Sequence, residues 1–497
     1  MKVMKYIVLL LSVQLYCGCN SWLDVKPSTQ KEKEDFYSAQ SGFEGGLTGC
    51  YMKLKSSTLY GQPLTMGIIE YPAQMWKPYE SNGEEMADFV WTSTIGEAYL
   101  KSWYSQFYNI IAQVNDLLAQ WEKHGNVIED PALRNMIKGE ALAIRAFCHF
   151  DLLRLYGQLP QGATITKRLP YAEVAGEKEV KFLDFETYKN RVLRDFETAA
   201  ALLKENDPIT QYSFAELDDV DKALNNGIIS DNFQANRRIR FNYWGVKALQ
   251  ARCYLYFGDK EQAFACAKEV IDATLPNGEK VIDFTCMDDF LAGYYTLPHE
   301  SLINLNIQKL NSYVPGLFIS TNGSKIQFYS TKEEHVLNTL FGGQTDYRYA
   351  TLKIDFPEGT SGHRYTTKKY WQTTTIGGTV SEGFDLNYQN VPLIRLAEVY
   401  LIAVEAASDP VVAENLFRTF KDSRGRNYDK DMEKNSLQDE LLNEYRRELI
   451  GEGQIFFTYK RLNKHEMPYF TDAETVAMKA VSEENYLLPI PNTEVEY

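Results

Sequence analysis

The sequence has no surplus of basic residues. Against 67 Asp and Glu stand 52 Lys and Arg, a formal charge of −15, and runs such as Asn236-Arg237-Arg238 are too short to reverse it. Nucleic acid is therefore excluded as a partner, because phosphate recognition needs clustered cations that release counterions. The chain also lacks HExxH, GxSxG, a P-loop, and a glycine-rich dinucleotide turn after a strand. Its six histidines, His124, His149, His299, His335, His363 and His465, include no pair at helical metal-ligand spacing. Cysteine is sparse and forms no CxxC step, so neither a disulfide framework nor a zinc site follows; Cys148, Cys253 and Cys266 fall inside apolar helical patterns as small hydrophobes. No metal, cofactor or catalytic residue is expected, and the chain reads as a binding protein rather than an enzyme.

What is present starts at the N-terminus. Lys2 and Lys5 precede an apolar run from Tyr6 to Val13 and then Gln14-Leu15-Tyr16-Cys17-Gly18-Cys19, the layout of a signal peptide over residues 1–18. The run is too short to span a bilayer. Gly18 before Cys19 resembles the lipobox at which a cysteine becomes diacylated, whereas Cys17 follows the bulky Tyr16 and fits less well. An ordinary secretory signal, with both cysteines discarded, is the alternative. A lipidated Cys19 would give stable membrane attachment, since each buried methylene contributes about 0.8 kcal/mol. Residues 19–30 then form a polar tether.

Helical periodicity dominates the next part, residues 31–272. A first stretch covers roughly Lys31 to Lys55, weakened by Gly45-Gly46, and a second runs from Ile95 to Lys123 with Trp103, Phe107, Ile110, Val114 and Leu117 at spacings of three and four. A third spans Pro131 to Gly157, where Leu142, Ala146, Phe150, Leu153 and Tyr156 form a stripe and Arg145, His149, Asp151 and Arg154 offer a polar network. Asn242 to Asp272 reads as two helices around Gly258-Asp259, with small residues where they cross, in the manner of a tetratricopeptide unit. A similar layout is expected for Val391 to Ala407 followed by Val411 to Arg424, within the closing part 390–497. Between them, residues 273–389 are rich in Gly, Thr, Tyr and Asn, with turn signals at Asn322-Gly323 and Gly342-Gly343. This part reads as an inserted lobe of loops and short strands. The fold class is thus mainly α, a helical-repeat scaffold of about four helix pairs carrying a variable lobe.

Several segments together resemble the SusD/RagB family of outer-membrane nutrient-uptake lipoproteins. They are CNSWLDVKP from Cys19, WYSQFYNIIAQVNDLL from Trp103, EALAIRAFCHFDLLRLYGQLP from Glu140, RFNYWGVKALQARCYLYFGD, VPLIRLAEVYLIAVEAA, RRELIGEGQIFFTYKRL and LLPIPNTEVEY. The chain departs from the pattern at Gln454 and Thr458, which stand where Arg and Asp are usual; a local change in scaffold packing is expected there. The resemblance implies tetratricopeptide-like helix pairs, an anchor in the outer membrane facing outward, and a SusC-like TonB-dependent transporter beneath a lid that captures ligand and releases it. It implies a glycan ligand first and a peptide or other oligomer, as in the RagB branch, second; a surface-attached glycoside hydrolase, which would need two facing carboxylates, is a third reading from another class.

Sugars present apolar C–H faces between hydroxyls, so a glycan surface needs aromatic platforms flanked by amides and carboxylates. Trp76, Tyr79 and Trp91, in the segment from Glu70 to Ser93, and Tyr294, Tyr295, Tyr329 and Trp371 in the lobe are the candidates; Tyr365 and Tyr370, near Lys368 and Lys369, are weaker ones. A calcium ion at Asp218-Asp219-Val220-Asp221 competes with a simple solvated acidic turn.

Overall fold

The computed structural model describes residues 33–491 apart from 79–80, 309, 311–313, 315–316, 318–325, 329–337, 352, 355–363, 366, 371–384 and 471–475. The proposed signal peptide and Cys19 lie outside the described residues. So do the candidates Tyr79, Tyr329 and Trp371.

The helices that frame the fold are α1 (Gln40–Leu54), α2 (Thr94–His124), α3 (Pro131–Tyr156), α4 (Phe185–Asn206), α5 (Tyr243–Tyr256), α6 (Lys260–Ile271), α7 (Cys286–Leu291), α8 (Leu396–Ala406), α9 (Pro410–Ser423), α10 (Leu437–Glu448) and α11 (Ile455–Arg461), with shorter helical turns between them. Local chemistry starts them. Ser93, Asp130, Asp184, Asn242 and Asp259 each accept a hydrogen bond from a first-turn N–H, and Pro131 and Pro410 occupy first-turn positions where no amide proton is needed. α1 runs through Gly45-Gly46 because Gly46 lies against Tyr37 and Leu117, where packing outweighs propensity. α4, an element additional to those expected, is held by its buried stripe of Tyr188, Val192, Phe196, Ala199 and Leu203, at spacings of three and four.

Consecutive helices pack as α1 on α2, α3 on α4, α5 on α6 and α8 on α9, the four-pair repeat expected, with α10 and α11 closing the stack. No described helix is long and apolar enough to cross a membrane. One expectation needs correction. Residues Val391 to Arg395, expected at the start of a helix, belong to a fully buried strand, β4 (Asn390–Arg395), antiparallel to β2 (Ser301–Asn306), and the helix begins only at Leu396. A short run apolar on both faces suits a buried strand as well as a helix, and pairing decides between them. Close approach of α5 to β2 requires Gly245, where a Cβ would sit 2.2 Å from Ile303 Cγ1.

Beneath the lobe lies an ion-pair network. Seven cations (Arg348, Lys369, Arg395, Lys421, Arg424, Arg426 and Arg447) face seven carboxylates (Glu300, Asp346, Asp431, Glu440, Glu444, Glu448 and Glu452), all buried except the half-buried Lys369. Arg424 donates to Glu300 at 2.6 and 3.0 Å and to Glu448 at 3.0 and 3.1 Å, while Arg395 reaches Glu448 at 2.6 Å and Arg348 reaches Glu448 at 2.9 Å. Burial alone would raise Glu448, but Arg424, Arg395 and Arg348 outweigh it and hold the carboxyl well below its usual range. Glu300, Asp346, Arg348 and Lys369 lie within residues 273–389, and the others come from β4, α9, α10 and the turns beside them, so the network pins these two stretches of chain together. Asp431, Glu440 and Glu444 lie close enough together to hold a cation, but Lys421, Arg426 and Arg447 already occupy them.

Candidate ligand-binding surface

The lobe aromatics are placed by the end of α7. After Leu291 the chain turns at Gly293 (φ 81°), whose amide donates to Phe290 O, and Tyr294 N donates to Asp289 O at 2.7 Å. The turn leaves Tyr294 and Tyr295 half-buried. Beneath them Asp289 is buried and bonded to His299 Nδ1 and, at 3.0 Å, to the Thr285 hydroxyl, a polar footing that limits the movement of the turn.

Tyr388 joins them from the other side. Its ring meets that of Tyr294 edge-to-face at 4.8 Å and 79°, and Tyr295 leans on Phe290 at 5.9 Å. Tyr388 is held by a turn in which Asp385 accepts from the amides of Asn387 and Tyr388 at 2.7 and 3.3 Å, just before β4. The three tyrosines, with Lys368, Asn387 and Gln389, line a shallow depression. Met287 and Leu291 are exposed on α7, leading into this turn. Sequence reasoning missed Tyr388; its signal was an aromatic residue between Asn387 and Gln389 immediately ahead of an apolar run.

Trp76 and Trp91 are not part of the depression. Trp76 lies on strand β1 (Trp76–Pro78), which pairs with β3 (Ile326–Phe328), is 1% exposed, and donates through Nε1 to Glu70 at 2.9 Å. Trp91 donates to Asn485 O at 3.1 Å and packs against Phe89 and Phe456. Neither indole presents a face to solvent; both are core rings whose N–H groups have found buried acceptors, as large amphipathic aromatics require. Tyr370 does line the depression, but its ring is buried and its hydroxyl donates to Gly451 O at 2.8 Å.

Glu70 is itself a clamp. It accepts from Trp76 Nε1, Gly451 N and Gly453 N, joining the early segment to the closing motif. Burial pushes its carboxyl up to about 7, and the three donors and Lys369 reduce the shift without cancelling it. A carboxyl raised in this way binds its proton more tightly folded than unfolded. Its contribution is therefore complete below about pH 4.5 and lost as pH rises towards 7, by an amount on the order of 3 kcal/mol. Urea titrations between pH 4.5 and 8 are expected to show a downward slope that Glu70→Gln flattens; parallel profiles for both proteins would refute this.

The remaining polar candidates are structural. Arg145 pairs with Asp195 at 2.7 Å, and His149, bonded to Tyr188 and Ala172 O, is driven by burial down to about 3 and stays neutral. Asp219 caps a short helix and Asp218 lies 3.5 Å from Arg238, which matches an acidic turn in the scaffold.

Comparison with known proteins completes the picture. Residues 21–215 match a SusD-like family described as "Starch-binding associating with outer membrane", and residues 318–497 match the SusD family. The chain belongs to the SusD/RagB family. Among members, SusD-like protein P2 of Formosa agariphila is 22% identical across 99% of this chain and 96% of its own length. A SusD superfamily protein from Bacteroides thetaiotaomicron shares the fold with a TM-score of 0.65 and 21% identity, covering 92% of this chain and 97% of that one. A laminarin-binding SusD-like protein does so with a TM-score of 0.60 and 18% identity, over 92% and 97% of the two chains. For this member of the family, the helical repeats are the shared frame on which the tyrosine depression is mounted.

Proposed function

We propose that this protein is a non-catalytic, lipid-anchored receptor on the outer face of the outer membrane, which captures a glycan and passes it to a SusC-like TonB-dependent transporter. The observation that carries the reading is the half-buried group Tyr294, Tyr295 and Tyr388 beside Asn387 and Gln389. Aromatic faces take the C–H surface of a sugar while amides take its hydroxyls, and a footing fixed by Asp289 and Asp385 lowers the ordering cost of binding. A laminarin-binding relative of the same fold supports a glycan over other oligomers.

The test is calorimetric titration of the chain from Asn20 onward with a panel of soluble host, plant and microbial glycans and mixed peptides. One glycan is expected to bind, and Tyr294→Ala or Tyr388→Ala should each weaken it about three- to tenfold, the contribution of one aromatic contact. Trp76→Ala, by contrast, should lower stability. Silence across the glycans with binding to peptides would overturn the reading in favour of a peptide receptor.

A further inference from the structure

A cavity of about 430 Å³ opens between the end of α8, the starts of α6, α9 and α10, and the turn after α11. It shares no lining residue with the tyrosine depression. Its size falls in the range of roughly 300–1,000 Å³ found for small-molecule sites and far exceeds what one or two waters fill.

The walls are aliphatic. Val404, Ala413 and Leu441 are buried, and Leu437 and Leu442 are half-buried along them. Among the described lining residues Tyr445 supplies the one aromatic ring, and its hydroxyl is spent on Glu405 at 3.2 Å. Glu405, the one carboxylate of the lining, is in turn committed to Arg461 at 2.5 and 2.8 Å. Water between these walls finds few partners, so an apolar group displaces it favourably.

Two cations remain. Lys260, exposed, and Lys464, half-buried, also line the cavity, and neither ammonium group has a hydrogen-bond or ion-pair partner among the described residues. Both reach solvent, which places their charges at the mouth. Asp259 and Asp409, which precede lining residues in the chain, turn their carboxylates to the first-turn amides of Gln262 and Val411 at 3.1 and 2.8 Å. The lining thus carries two cations beyond its one neutralised carboxylate.

We infer that this cavity takes a medium-chain fatty acid, its alkyl chain along the leucines and its carboxylate at Lys260 and Lys464. The leucine walls favour an alkyl chain over a flat ring, which would have Tyr445 alone to stack on. α10 presents Leu441 and Tyr445 to the cavity and, on the neighbouring face, Glu440, Glu444 and Glu448 to the ion-pair network. An occupant therefore braces the helix that holds the lobe and, binding only the folded state, stabilises it by mass action.

The test is calorimetric titration of the chain from Asn20 onward with sodium decanoate below its micelle concentration, beside sodium octanoate, 1-octanol and 3-phenylpropionate. Decanoate is expected to bind, and octanoate, two methylenes shorter, about tenfold more weakly. The neutral alcohol and the aromatic acid should bind less tightly than octanoate. Lys260→Glu with Lys464→Glu, both at positions that reach solvent, should weaken decanoate about tenfold and leave the unfolding midpoint of the ligand-free protein unchanged. Leu442→Trp, which fills the cavity from a half-buried position, should abolish binding. Crystals soaked in 11-bromoundecanoate should place bromine in the cavity. No decanoate binding, 1-octanol or 3-phenylpropionate as tight as octanoate, a titration unchanged in either variant, or bromine elsewhere would overturn the assignment.

Discussion

Arg424→Met is expected to lower the free energy of unfolding by about 3–5 kcal/mol, the cost of leaving buried carboxylates without their cation. Arg424 is fully buried and its guanidinium is shared between Glu300, at the base of the lobe, and Glu448, near the end of α10. Glu448 keeps Arg395 and Arg348, but Glu300 loses its guanidinium, retaining among the described residues the Thr285 amide at 2.9 Å. The penalty should therefore fall mainly on Glu300. Arg424→Met combined with Glu300→Gln is expected to recover a large part of the loss, because the neutral amide no longer needs a cation. Denaturant unfolding of the two single variants and the double variant checks this. A single-variant cost below about 1 kcal/mol, or strictly additive losses, would mean that the network does not pin the lobe. Since Tyr294 is tethered to the same footing, glycan affinity should fall with Arg424→Met and return with the double variant.

The second large effect is expected at Gly453. Its φ of 70° lies in the left-handed region, a Cβ there would lie 2.0 Å from the carbonyl oxygen of Leu64, and its amide donates to Glu70 at 2.8 Å. Backbone conformation alone costs alanine about 1–2 kcal/mol at such a position. The clash adds to this because neither backbone can yield without breaking the Glu70 clamp, so Gly453→Ala is expected to cost about 3 kcal/mol or more. Gly278 is the control: its φ is 86°, but nothing lies within 4 Å of its would-be Cβ. Gly278→Ala should show the conformational cost alone, so equal losses for the two variants would refute the steric argument.

Much of the scaffold could be read in the residues. Apolar stripes at three- and four-residue spacing place α2, α3 and α5 to within a residue or two of their observed ends, where the structure adds Ser93, Asp130 and Asn242 as caps. α4 was overlooked although Tyr188, Val192, Phe196, Ala199 and Leu203 recur at spacings of three and four behind the Asp184 cap. Gln454 and Thr458 stood out as departures, and the structure gives them a place: Gln454 accepts from Arg154, and Thr458 hydrogen-bonds the turn above it.

The sequence by itself determined the repeat architecture, because helix periodicity and small residues at helix crossings are local properties that each segment carries, and it pointed to the family through the segments that resemble it. Only the tertiary structure decided which aromatic rings are open. Trp76 and Trp91 have the same composition signals as a sugar platform, yet their N–H groups are bonded to Glu70 and Asn485 inside the core, while Tyr388 reaches Tyr294 from a distant stretch of chain. It also decided that Asn390–Arg395 is a strand, because β2 supplied the hydrogen bonds. Exposure, pairing and charge balance in a buried network are set by residues far apart in the chain, and no local pattern encodes which of them will meet.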